Sequence, residues 1–309
     1  MWDIVGKRYW YFLLSLVVLV PGFISLPLFG LNLSIDFVGG SLLELQFEQP
    51  AQELLPAETK DFLEAEGFPV GLVQTSGSNI ILVRTTHIDQ DMKNRIEDAL
   101  GEHYGEFVEL RFESVGPAVG QEVANRAMWA VIAAAIAILT YISFAFRHVS
   151  NPFRYGACAI IAMLHDVFVV LGLASLAGHF LGWEVDALFL TALLTVIGFS
   201  VHDTIVVFDR IRENAGRMRG ERFDVIVNHS IIQTLDRSIS TQLTVMFTLL
   251  ALFLFGGLTI RQFVFWLLIG VASGTYSSIF NASPLLVVWD NGEVRQLLRR
   301  LRGGQPAAA

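Results

Sequence analysis

Six stretches of the chain are apolar at almost every position over about 20 residues or more: Tyr9–Phe29, Ala124–Phe146, Phe153–Leu181, Ala187–Ile211, Ser238–Gly256 and Phe263–Trp289. As a helix, a run of that length matches the hydrocarbon thickness of a bilayer. Each therefore predicts a membrane-spanning helix. The first exceeds the apolar core of a cleaved signal peptide, and no small-x-small cleavage site follows it, so it reads as a retained anchor.

Between the first and second spans the pattern changes period. Ser41–Glu48 alternates, with Leu43, Leu45 and Phe47 set against Leu42, Glu44 and Gln46, which predicts a strand. Pro56 opens a helix, at a position that tolerates a missing N–H, and Gly67 closes it. Pro69–Thr75 and Asn79–Thr86 read as strands joined by a Ser76-Gly77-Ser78 turn. Asp89–His103 places Met92, Ile96, Ala99 and Leu100 on one helical face, and Glu106–Glu113 reads as a last strand. The order βαββαβ is that of the split-βαβ, ferredoxin-like fold. The expected architecture is an α-helical membrane protein of six transmembrane helices, with this α+β domain inserted between helices 1 and 2. Its expected segments are 1–29 (N-terminus and first span), 30–121 (inserted domain), 122–290 (spans 2 to 6) and 291–309 (tail, with Gly303–Ala309 read as disordered).

Composition supports the membrane reading. Apolar residues make up 53% of the chain and charged residues only 16%, against about 25% in soluble domains. Mean hydropathy is +0.55. Disordered, collagen-like and nucleic-acid-binding classes are excluded. Cys158 is alone, so no internal disulfide forms. Charge is uneven: residues 30–121 hold 16 Asp and Glu against 5 Lys and Arg, an acidic and solvated segment. Basic residues gather at Lys7 and Arg8, at Arg147 and Arg154, at Arg210, Arg212, Arg217, Arg219 and Arg222, and at Arg295, Arg299, Arg300 and Arg302. The 3–4 loop has Glu184 and Asp186 with no base, and the 5–6 loop has only Arg261. The positive-inside rule then predicts both termini inside and residues 30–121 outside.

Ionisable residues within spans are costly and usually face a bundle interior or a water path. Span 3 carries His165 and Asp166, span 4 carries His202 and Asp203, and span 5 opens with Asp236 and Arg237. Arg237, Thr241, Thr244 and Thr248 share one helical face, a stripe about 16 Å long. A cation with hydroxyls above it suits a thin water file; equally, such threonines often bond back to their own helix. Asp166 reads either as a structural hydrogen-bonding residue or as an accessory to proton movement. Asp203 and Arg237 lie at similar depth and are expected to approach if helices 4 and 5 pack together, forming a pair that protonation would open. Gly270 and Gly274 in span 6 read as a close-packing surface.

A metalloenzyme reading on His165, Asp166, His202 and Asp203 is weak, because the histidines lack the spacing of H-E-x-x-H or of an H-x-x-x-H ladder. No G-x-S-x-G nucleophile motif exists either. The expectation is no enzyme, no metal and no cofactor, but a proton-responsive transporter or motor subunit.

Three short signatures and one long one then carry a resemblance. Asp36-Phe37-Val38-Gly39-Gly40 after span 1 and Val115-Gly116-Pro117-Ala118-Val119-Gly120 before span 2 are similar to signatures of the SecF family of bacterial protein-export membrane proteins. The run from Gly198 to Asn214 resembles that family's span-4 motif, and Leu235–Thr241 resembles its span-5 opening. His202 departs from the pattern, where an amide such as Asn is expected, and so does Asp236. The resemblance implies one half of an RND-type assembly, pairing with SecD and working with SecYEG on unfolded exported polypeptides, driven by the proton gradient. It implies an inner-membrane location, with the inserted domain periplasmic. It maps the proton path onto Asp203 and Arg237, with His202, Asp166, His165, Thr241, Thr244 and Thr248 as accessories. Asp36, Phe37, Gly39, Gly40, Gly116 and Gly120 are expected as signature or hinge residues. The alternative is half of an RND-type small-molecule or lipid exporter.

Overall fold

The computed structural model describes residues 2–48, 50–76, 79–147, 149 and 151–293. Gly77 and Ser78 of the expected turn, and the tail from 294 with its four arginines, lie outside the described residues. The chain divides into two compact units, one of residues 1–32 and 130–309 and the other of residues 33–129.

The second unit contains α2 (Ile35–Val38), β1 (Gly40–Phe47), α3 (Pro56–Ala65), β2 (Val70–Ser76), β3 (Ile80–Thr85), α4 (Gln90–Tyr104) and β4 (Phe107–Val115). The sheet is antiparallel in the order β2-β3-β1-β4, the ferredoxin-like arrangement. Asp89 starts α4 by accepting the Met92 N–H at 2.9 Å, and Gly67 ends α3 at φ +82°, where a Cβ would be strained. Leu43, Leu45 and Phe47 of β1 meet Leu63 of α3 and Ile96, Leu100 and Tyr104 of α4, so both helices cover one sheet face. The Thr59 and Tyr104 hydroxyls, 2.7 Å apart, join the two helices inside that core.

Lys93 is buried beside this core. Burial presses its ammonium toward neutrality, but hydrogen bonds to Glu109 at 2.6 Å and to Glu97 outweigh that and hold it above its ordinary value. Burial pushes the Glu97 carboxyl up, with Lys93 pulling against it. Replacing Lys93 by Met keeps an apolar chain beside Phe112 but leaves the half-buried Glu97 without its cation. The expected loss is about 2 kcal/mol, read from hydrogen exchange of α4 amides. Because the folded state then binds the Glu97 proton more readily than the unfolded one, the loss should shrink as pH falls through the raised Glu97 value.

The first unit holds the spans. These are α1 (Arg8–Phe29), α5 (Pro117–Ala145, which begins in the second unit), α6 (Pro152–Leu181), α7 (Ala187–Arg217), α8 (Phe223–Phe255) and α9 (Leu258–Ser277), continued by a π-helical turn (Ser278–Ala282) and α10 (Ser283–Asp290). Six helices are long and apolar enough to cross a membrane. About half of the apolar windows of α6, α7 and the α9–α10 span is buried, but little of α1, α5 or α8. The interior is therefore a three-helix core, and the other spans expose their apolar sides, as a bilayer permits. The buried positions of α1 are Ser15, Gly22 and Ser25; the last two meet Gly172 and Ser175 and let the backbone approach α6 closely, while Ser15 meets Asn281.

Two features depart from the hydropathy reading. Helix α8 starts at Phe223, not Ser238, because hydropathy senses only the membrane-embedded part; its first turns bury the polar Asn228, Ser230 and Thr234 through hydrogen bonds. The last span is broken by the π turn, where Pro284 has no N–H to return to the preceding turn.

Candidate functional site

Two carboxylates occupy the three-helix core. Asp203 lies on α7, one turn beyond Ser200, and is 4% exposed. Ser278, the first residue of the π turn, donates its hydroxyl to Asp203 Oδ2 at 3.0 Å. Asp166 on α6 is 1% exposed and far more fully held. Ser200 of α7 donates to its Oδ2 at 2.6 Å, Ser277 of α9 to the same oxygen at 2.6 Å, and Ser273 of α9 to Oδ1 at 2.7 Å. The adjacent His165 Nδ1 is 3.0 Å from Oδ1. Glycines make this convergence possible. A Cβ on Gly270 would sit 2.0 Å from the Val196 side chain, and one on Gly274 would sit 3.2 Å from Ser200 Cβ. The span-6 glycines are thus where α9 meets α7, as their spacing predicts.

Arg237 is placed differently. It is exposed on α8, together with Thr241, Thr244 and Thr248, so the predicted stripe exists on an exposed side of that helix, whereas Asp203 is buried. Among the described residues no ion pair joins Arg237 to Asp203 or to Asp236. The expected approach of the two groups within one chain is not made, because Ser238 and Gln242, not Arg237, lie on the buried side of α8. Thr244 and Thr248 donate to carbonyls of their own helix, at 2.9 and 3.0 Å. His202 is exposed while its neighbour Asp203 is buried, since consecutive helical residues point about 100° apart. The two His-Asp pairs therefore do not converge on one point.

Arg237 borders a cavity of about 690 Å³ at the end of the unit where α5 finishes and α8 begins. Tyr141, Phe146, Asp209, Arg210 and Arg212 also line it. Its charges are largely paired: Arg212 with Asp209 at 2.5 Å, and Arg210 with Glu213 at 2.5 Å. Asp209, Arg210, Arg212 and Glu213 thus form a charge network past the apolar part of α7.

In the other unit the glycine signatures meet each other. Gly39 has φ +76°, and a Cβ there would lie 2.6 Å from Pro117 Cα. A Cβ on Gly120 would lie 2.7 Å from Gly39 N and 3.2 Å from the Phe37 carbonyl carbon. Gly40, at φ +129°, would place one 2.7 Å from the Thr85 carbonyl oxygen. Gly116 has open space around it. Asp36 sits in the single turn of α2, its N–H bonded to the Ser34 hydroxyl at 3.2 Å. The geometry gives Gly39, Gly40 and Gly120 a role in tight backbone packing.

Residues 95–292 match the family described as "Protein export membrane protein SecD/SecF, C-terminal", and residues 24–51 match the "SecD/SecF GG Motif". A protein translocase subunit SecF of Anaerolinea thermophila is 52% identical over 311 residues, covering 100% of both chains. The chain belongs to the SecF family. A second SecF subunit, from Thermobaculum terrenum, is 53% identical over 99% of both chains. The SecDF subunit of Bacillus subtilis is 34% identical over 96% of this chain, which covers only 39% of that longer protein. A crystal structure of SecDF from Thermus, described as a translocon-associated membrane protein, aligns with a TM-score of 0.83 and 33% identity over 94% of this chain. This chain covers 39% of that structure. As a member of the SecF family, the chain is an accessory subunit of the Sec protein translocase, a multi-pass membrane protein associated with SecD.

Proposed function

We propose that the chain couples the proton gradient to export through Asp203 and Arg237, and that SecD completes the path. One observation carries this reading: among the described residues Asp203 is buried with one hydroxyl partner, whereas Arg237 and its threonines stand on an exposed face of α8. An arginine on a membrane face is costly unless protein or water covers it, and six further helices from SecD are the natural cover. The polar cavity at Arg237 supports water access from one side. Protonation of Asp203 weakens its claim on nearby donors and cations, and the helices around it move. The chain acts with SecYEG on unfolded polypeptides in the inner membrane, as a mechanical subunit and not an enzyme. Lys7, Arg8 and the arginines from 210 to 222 favour cytoplasmic termini. Residues 30–121 then face the periplasm.

The experiment is translocation of a secretory protein into inverted membrane vesicles that contain or lack this chain. Collapsing the gradient with a protonophore, with ATP supplied, should erase the increment the chain contributes. An increment that survives intact would overturn the reading.

A further inference from the structure

His165 and Asp166 form a site that the path through Asp203 and Arg237 does not use. Hydroxyl contacts of 2.6, 2.6 and 2.7 Å lie in the range of O–H···O⁻ bonds to an ionised carboxylate. With His165 they match the four acceptor positions that an ionised carboxylate offers. In that arrangement His165 Nδ1 donates its hydrogen to Oδ1. That leaves Nε2 with a free lone pair, and this atom is buried without a partner in a side chain only 9% exposed.

No lysine or arginine pairs with Asp166 among the described residues. The titratable groups brought by the neighbouring elements are few. Helix α7 brings Asp203. Helix α9 brings Tyr276, its ring centroid 6.4 Å from that of His165. Helix α1 brings Tyr11, whose carbonyl accepts from the Tyr276 hydroxyl, and Arg8, held by Glu293. Helix α10 brings Asp290, which pairs with Arg154. Asp166 thus has one imidazole beside it and no cation among the described residues, and the open Nε2 of that imidazole is a proton-accepting atom next to the carboxylate.

We propose that His165 and Asp166 are a second proton-binding centre of this chain, with His165 Nε2 the atom that takes a proton from water and the three serines holding the carboxylate as its counter-ion. Nothing else changes covalently: a proton adds to Nε2, and the pair becomes imidazolium and carboxylate. The centre touches Asp203 through two short links. Ser277 holds Asp166 while the next residue, Ser278, holds Asp203; Ser200 holds Asp166 one helical turn from Asp203. Both serine links converge where the π turn begins, and within that turn Asn281 bonds Ser15 of α1 at 2.8 Å. A charge change at either carboxylate therefore bears on the same turn and on α1. The proposal rests on the proton-path reading only for the use made of the proton.

The test is nitrogen-15 magnetic resonance of labelled histidine in the chain paired with SecD in lipid, with His165 assigned by its absence in His165→Gln. The expected result is the Nδ1–H neutral form at high pH, converting to the doubly protonated form on acidification. Asp166→Asn should abolish the doubly protonated signal over that range. Should Asp166→Asn fail to assemble, Ser273→Ala must still displace the conversion, since it removes one donor from the counter-ion. Asp203→Asn should leave the conversion in place while removing gradient-dependent export, so the two readings fail separately. A His165 that keeps one neutral tautomer throughout overturns the proposal.

Discussion

Asp203→Asn should remove the gradient-dependent part of export while leaving the chain folded and paired with SecD. Asparagine has almost the same shape and keeps an acceptor oxygen for the Ser278 hydroxyl, now 3.0 Å from Oδ2. What it loses is the exchangeable proton. One elementary charge carried across 100 mV releases ~2.3 kcal/mol, enough to shift a two-state equilibrium roughly fifty-fold. Without that carrier the two states are no longer biased by the gradient, and the increment should fall more than about tenfold. Translocation into vesicles with and without the gradient measures it, with both subunits quantified in the same membranes. A variant that keeps the full increment at normal abundance removes Asp203 from the path.

Gly172→Leu should be the most damaging single change to the fold of the spans. A Cβ on Gly172 would lie 2.5 Å from Gly22 Cα, and one on Gly22 would lie 2.8 Å from Gly172 Cα, so the two backbones are in contact. One turn on, the Ser25 and Ser175 hydroxyls bond at 2.7 Å. A leucine there must separate α1 from α6, losing both the backbone contact and the serine bond. The expected cost is about 3 kcal/mol, seen as a lower unfolding temperature in detergent. Gly198→Leu is the control: nothing lies within 4 Å of that site, so the isolated chain should melt as the unsubstituted one does.

The spans and the inserted domain were legible because each is written in a local period. Twenty apolar residues, an alternating strand, or an apolar stripe at every third and fourth position needs no knowledge of neighbours. Asp203 was legible for a similar reason, since a carboxylate in an apolar run stands out. The direction in which Arg237 points was not. Its stripe with the threonines is periodic, but which side of α8 meets the core depends on Ser238 and Gln242 finding α7 and α9, a tertiary matter. The donors around Asp166 were hidden likewise: Ser200, Ser273 and Ser277 come from two other helices, and in sequence the last two look like ordinary small packing residues. The π turn leaves only the faint trace of Pro284, which follows Ser283.

The outward-facing arginine of α8 has a consequence for how cells must make this protein. On the reading that SecD covers that face, a copy without its partner leaves the guanidinium and the polar cavity it borders without protein cover, so matched production of the two halves is expected. Joining both halves in one polypeptide, as in the SecDF of Bacillus subtilis, guarantees equal numbers and keeps the halves at high local concentration from synthesis onward. Orphans are then never made.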